Sequence, residues 1–403
     1  MTADNMNESA ITNKDILFLL SFGLYFIYCG FQTSFFAVYF SNDNVFKIVI
    51  VMCMLLLVIK EASAKINRTA FLLIGFFVLF SVFVLKNGEG LGQKSLFFAI
   101  VYIISARDVS LKKILSLSAA LCAFILVVVV LSSELGIIMN FTDRRGDGTL
   151  RNPLGFRWVL FASTFYFEFV SIIVYLHKSK LRLITILMLG FIGWWLYYET
   201  DSRICFVLTE TVIIFALLDK FRQHIHAENG LVLRTIIRLL TVSFIVSATF
   251  AIVVTVLYNP DNELMSDING LLANRLGLGQ ASLNQYGVSL FGIRGIEWIG
   301  HGRDAFGNAQ LLEYNYVDCG YIVILQRYGV LFTMFWLVCN TFTLKNAYKH
   351  GDYYLIFIMS LIAIHCIIDD LQIALHYNVF WLANAMLFPK LQTLLVGSKK
   401  NEK

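Results

Sequence analysis

Apolar and polar positions fall in blocks along this chain. Apolar runs cover roughly residues 16–38, 45–59, 70–86, 95–106, 114–138, 155–176, 182–198, 204–218, 236–258, 319–343, 353–368 and 371–388. Crossing a bilayer core takes about 20 apolar residues, so several runs are short, and the last two are joined only through Asp369 and Asp370. The pattern predicts an all-α polytopic membrane protein, residues 1–403 forming a single membrane domain of about twelve transmembrane helices.

Two connecting stretches stand apart. Residues 140–153 form a short, arginine-rich loop, and residues 259–316 form a large one. Within the latter, Ser266–Leu283 predicts a helix capped by Ser266, with Ile268, Leu271, Leu272 and Leu276 on one apolar face. It would lie on the membrane surface with Arg275 beside its apolar stripe. Glycines 287, 292, 295, 300, 302 and 307 follow, which suits irregular backbone packed close against a neighbour or ligand.

Composition narrows the class. A mean hydropathy of +0.72 with 58% hydrophobic and 15% charged residues excludes an ordinary soluble domain. No cleavable signal peptide is expected, because residues 1–15 are polar. Pro153, Pro260 and Pro389 fall at span boundaries, so no proline kink is expected within a span. The seven cysteines show no metal-site spacing and read as small apolar residues. The net charge of +5 comes from lysines of the inner segments and implies no nucleic-acid partner.

The distribution of charge is more informative. With both termini in the cytoplasm, the inner connections collect most of the basic residues, as the positive-inside rule requires. Lys14, Lys60, Lys112, Lys178, Lys220, Lys345 and Lys399 are among them. The outer connections hold Arg144, Arg145, Arg151, Arg157, Arg203, Arg275, Arg294, Arg303 and Arg327, with only three lysines. Topology needs only charge, so a preference for arginine points to recognition by shape. A planar guanidinium matches phosphate oxygens bidentately, each charge-assisted bond contributing about 1.5–3 kcal/mol. The plainer alternative is pairing with outer acids such as Asp143, Asp201 and Asp304. Arg327, about eight residues into the tenth run, has its own plain role, an ion pair with Glu168 or Glu210 that holds helices together.

The chain lacks GxxxxGK[ST], GxGxxG after a strand, an Asp-x-Asp pair, HExxH and GxSxG. An enzyme built this way uses neither nucleotide nor metal cofactor, and its driving energy arrives stored in the substrate.

Four blocks follow one another in order: ThrAspSerArg at 200–203, AsnGlyLeuLeuAlaAsnArgLeu at 269–276, TyrGlyValSerLeuPheGly at 286–292 and TyrAsnTyrValAspCysGlyTyrIleValIleLeuGlnArgTyrGly at 314–329. Together they resemble the Wzy-type polysaccharide polymerases of capsule, exopolysaccharide and O-antigen pathways, over about residues 150–345. One departure is visible. LeuGlyPhe at 154–156 is followed by ArgTrpVal, where the family often has a His-Pro-Asn element. The resemblance implies a bacterial cytoplasmic-membrane enzyme that moves a growing glycan from undecaprenyl pyrophosphate onto a lipid-linked repeat unit. A chain-length regulator and a flippase are its implied partners, and no cofactor is implied. Arg157, Arg203 and Arg275 would stabilise the departing pyrophosphate, with Arg151, Arg294 and Arg303 in support. Asp318, Glu297 or His301 could serve as general base. Tyr286, Trp298, Tyr314 and Tyr316 offer aromatic faces to sugars. A flippase of the same lipid-linked glycan and a related ligase are the competing readings.

Overall fold

The computed structural model describes residues 11–40, 42–63, 71–72, 74–75, 78–79, 91–145, 148–224, 231–300, 302–309 and 312–388. Its helices are α1 Asn13–Gln32, α2 Asp43–Ala62, α3 Leu91–Ser105, α4 Leu111–Glu134, α5 Val159–His177, α6 Leu183–Thr200, α7 Arg203–His224, α8 Leu231–Leu240, α9 Ser243–Val256, α10 Glu263–Leu271, α11 Arg275–Tyr286, α12 Gly320–Lys349 and α13 Tyr353–Ile368. Among the described residues the only strands are β1 Asp143–Arg144 and β2 Leu150–Arg151, an antiparallel pair.

Among the described residues five helices are long and apolar enough to cross a membrane: α1, α4, the stretch Val159–Lys180 containing α5, α6 and α12. The segments Arg234–Leu240 and Ser243–Val256 pass the same test together, bent by 58°. The chain thus has the character of an all-helical membrane protein. α6 makes the reason visible, for Ile184, Leu187, Phe191 and Tyr198 all point outward, Phe191 68% exposed. Surface of that kind suits lipid, which is as apolar as the side chains facing it.

The helix ends sort into two sets. At one end Lys60 is buried and donates to the Ser105 carbonyl at 2.8 Å and to Asp108 at 2.5 Å. There too Arg107 grips Glu61, Lys113 holds Asp15 at 2.8 Å, and Lys178 lies 3.5 Å from Asp352. At the other end the loop around Phe156 bridges to Ser34 at the close of α1, Asn152 bonds Glu199 at the close of α6, and Arg275 reaches the carbonyl of Ile368 at the close of α13. Lys60, Lys113 and Lys178 belong to the first set and Arg275 to the second.

The structure differs from a plain reading of the apolar runs at three points. The run at 371–388 forms no α-helix; it folds into 3-10 turns, Leu371–Ile373 and Val379–Leu387, buried in the core. Side chains there compete with the backbone for partners: Trp381 Nε1 and Asn378 Nδ2 both donate to the Gln372 carbonyl, at 2.7 and 3.1 Å. The surface helix is two helices rather than one, α10 and α11. Ala273 and Asn274 break it with φ of 52° and 62°, and Asn262, not Ser266, caps α10 through the Met265 amide. The third is α12, which carries no proline yet is broken at Gly329, with φ 87° and ψ 170°. The run at 70–86 lies largely outside the described residues.

Candidate functional site

The break in α12 organises the site. Helical hydrogen bonding lapses around Gly329, and residues 289–293 of the long loop lie against the gap. Ile293 N donates to Gln326 O at 2.8 Å and Val330 N to Ser289 O at 3.0 Å. The buried Gln326 side chain completes the join, donating to the Ser282 and Gly287 carbonyls and accepting from Ser282 Oγ at 2.8 Å. Ser282 Oγ in turn receives Trp298 Nε1 at 3.0 Å. Trp298 is thereby fixed as a platform for its neighbour, with the Arg327 guanidinium 4.5 Å from the ring centroid.

Arg327 therefore pairs with neither Glu168 nor Glu210. Glu168 is fully buried and accepts the Val379 amide at 2.8 Å, while a Glu210 oxygen faces Gly193 on α6. Arg327 instead lines a cavity of about 560 Å³, together with Arg157, Tyr316, Tyr328, Asp370 and His376. Arg157 enters from the other side, its backbone held between the Thr33 carbonyl at 2.9 Å and the Arg303 amide at 3.2 Å. Its buried Nε has no hydrogen-bond partner among the described residues. A guanidinium N–H left open beside a cavity is a ready donor to an anion.

Two carboxylates, Asp43 and Asp370, line the cavity with the two guanidiniums. Asp370 accepts the Tyr316 hydroxyl at 2.6 Å. Burial, reinforced by the neighbouring Asp369 and Asp318, pushes its pKa up to about 8, although the Tyr316 bond and Arg327 pull the other way. A carboxyl poised near neutrality beside a cavity has the properties of a general base. Sequence reasoning passed over Asp370 because two acids joining two apolar runs read as a linker. A carboxylate pair inside so short a connection was the available signal.

Arg275, Asp318 and Tyr314 contact one another beside this cavity. Arg275 begins α11 and donates to the carbonyls of Ile368 at 2.6 Å and Leu272 at 3.1 Å. It lies 3.5 Å from Asp318, which accepts the Tyr314 hydroxyl at 2.9 Å. Burial raises the Asp318 pKa and Arg275 opposes the shift. These contacts hold the long loop onto the end of α13.

The remaining candidates lie elsewhere. Arg145, Arg151 and Arg203 gather around the end of α6: Arg145 grips Asp201, Arg151 Nε donates to the Thr200 carbonyl at 2.9 Å, and the 58%-exposed Arg203 lies 3.4 Å from Asp201. Arg203 does not share the cavity of Arg157. Arg294 and Glu297 are exposed on the loop, and the Tyr286 hydroxyl bonds the Glu297 backbone. His301 lies outside the described residues. Arg303 sits over Phe141, 4.4 Å from its centroid, and donates to the Gly307 carbonyl at 2.8 Å. With Arg144 and Arg157 it lines a second cavity, of about 290 Å³.

Cys205, His365 and Asp369 bring donor atoms together in the core. His365 Nε2 spans the other two, 3.8 Å from Cys205 Sγ and 3.5 Å from Asp369. The three close on one another as a clamp between α7 and the end of α13. No family model, curated protein or solved structure matches this chain.

Proposed function

We propose that the chain is a polymerase that joins undecaprenyl-pyrophosphate-linked repeat units into a surface polysaccharide at the outer face of a bacterial cytoplasmic membrane. The observation that carries this reading is one cavity flanked by two guanidiniums, Arg157 and Arg327, and one carboxyl of raised pKa, Asp370. In this reading the arginine-rich end faces outward and the chain crosses the membrane about twelve times, both termini inside.

The chemistry follows from those groups. An acceptor sugar hydroxyl loses its proton to Asp370 and attacks the anomeric carbon of the donor glycan. A new glycosidic C–O bond forms as the bond to the pyrophosphate breaks, and undecaprenyl pyrophosphate departs with the electron pair. Arg157 and Arg327 stabilise the charge that grows on the leaving group, which is worth more in the transition state than in the ground state. Asp370 is favoured over Asp318 as the base because it lines the cavity while Asp318 is engaged with Arg275 and Tyr314.

The test is a chromosomal deletion complemented with Arg157→Ala or Arg327→Ala, with membrane insertion checked by immunoblot. Loss of long polymer with single repeat units accumulating on the outer face supports the reading. Accumulation on the inner face assigns a flippase instead, and polymer of normal length left untransferred assigns a ligase.

A further inference from the structure

The smaller cavity is the part of the site that the reaction above leaves unused. It lies across Arg157 from the larger one and is lined by Arg144, Arg303, Asp143, Phe141 and Trp158. Its volume, about 290 Å³, is of the size that small-molecule sites occupy. Three guanidiniums face it against the one carboxylate of Asp143. Arg303 is held rigid by the Phe141 ring and the Gly307 carbonyl, whereas Arg144 on β1 is exposed. The nearby Asp304 is spent within its own turn, accepting the amides of Phe306 and Asn308 and the Asn308 side chain. Net positive charge therefore remains inside the cavity, next to the Trp158 ring and one acceptor for hydroxyl groups.

The geometry points to a subsite for a sugar that carries an anionic substituent, a carboxylate or a phosphate, on the glycan handled by the larger cavity. This rests on the functional reading above and adds to it that the repeat unit is acidic. Guanidiniums take the anion bidentately, Asp143 takes ring hydroxyls, and Trp158 packs against the sugar face.

The experiment uses the purified full chain in detergent, with Trp fluorescence and calorimetry as readouts. The probes are trigalacturonate, its neutral methyl ester, glucose 6-phosphate and inorganic pyrophosphate. At least one acidic sugar should bind more tightly than the methyl ester, and which one binds better separates carboxylate from phosphate. Arg144→Gln should weaken that binding by about tenfold or more, while Arg144→Lys restores part of it. Pyrophosphate binding should persist in Arg144→Gln and fall in Arg327→Gln. Equal binding of the methyl ester, no binding of either acidic sugar, or indifference to Arg144→Gln overturns the inference. Pyrophosphate that fails to bind the unaltered protein overturns the functional reading instead, so the two failures are distinguishable.

Discussion

Gly292 and Gly329 meet backbone to backbone, so closely that a side chain at Gly329 would run into the Gly292 amide nitrogen. Both have positive φ, 91° and 87°. Neither position tolerates a side chain, on grounds of space and of backbone conformation. Gly329→Ala should lower the thermal midpoint of the detergent-solubilised protein by several degrees and abolish polymer formation, because Arg327 and Trp298 are both placed by this join. Wild-type melting with normal polymer would show that the join does not position them.

Removing Arg157 or Arg327 should reduce polymer formation by about 10²–10³-fold, the usual effect of deleting one donor to a developing charge. Arg203→Ala should change it by no more than a few-fold, since that side chain is exposed and lies outside the cavity. Rates of repeat-unit consumption in membrane vesicles measure all three. Equal losses in the three variants would dissolve the distinction drawn between the cavity and the cluster at Asp201.

Trp298→Leu should act on Arg327 rather than on folding as a whole. Its loss removes the ring beneath the guanidinium, so activity should fall by about tenfold while protein levels hold. Trp298→Phe, which keeps an aromatic face, should recover most of the loss. If phenylalanine is no better than leucine, stacking is not the operative contact.

The Asp370 carboxyl is protonated below about pH 8, so the activity of the unaltered protein should rise with pH toward a plateau above that value. Tyr316→Phe removes a hydrogen bond that favours the ionised form and should shift the limb to higher pH. Asp370→Asn should abolish the limb with the activity. Stability runs the other way. A carboxyl whose pKa is raised on folding contributes fully below its unfolded value and loses that contribution as pH climbs through about 8. Asp370→Asn should therefore be relatively more stable than the parent at high pH, which melting curves at pH 6 and 9 would measure. A pH-independent rate between those limits would remove Asp370 from the role.

Sequence reading found what long-range burial dictates and missed what short contacts decide. The apolar run at 114–138 admits one structure, and α4, at Leu111–Glu134, covers most of it. Gly329 also sits inside a span-forming apolar run, and the sequence around it does not reveal that residues 289–293 of the long loop supply the missing hydrogen bonds. The break at Ala273 and Asn274 was hidden for a similar reason. The buried Asn269 side chain accepts the amides of Leu276 and Gly277 at 3.0 and 3.1 Å, a local bond that overrides helix periodicity. Arg157 was legible as an unusual basic group at the start of a span, whereas its neighbour across the cavity, Arg327, resembled a helix-pairing residue until its stacking on Trp298 was seen.

Arg157 stands in the wall common to both cavities. One guanidinium cannot lend its full charge to two anions at once, so an occupant on either side weakens the hold on the other, and by thermodynamic reciprocity the penalty is the same in both directions. Departure of the spent carrier from the larger cavity would then tighten the grip on the glycan in the smaller one, giving a repeating reaction an order of events from a single shared residue.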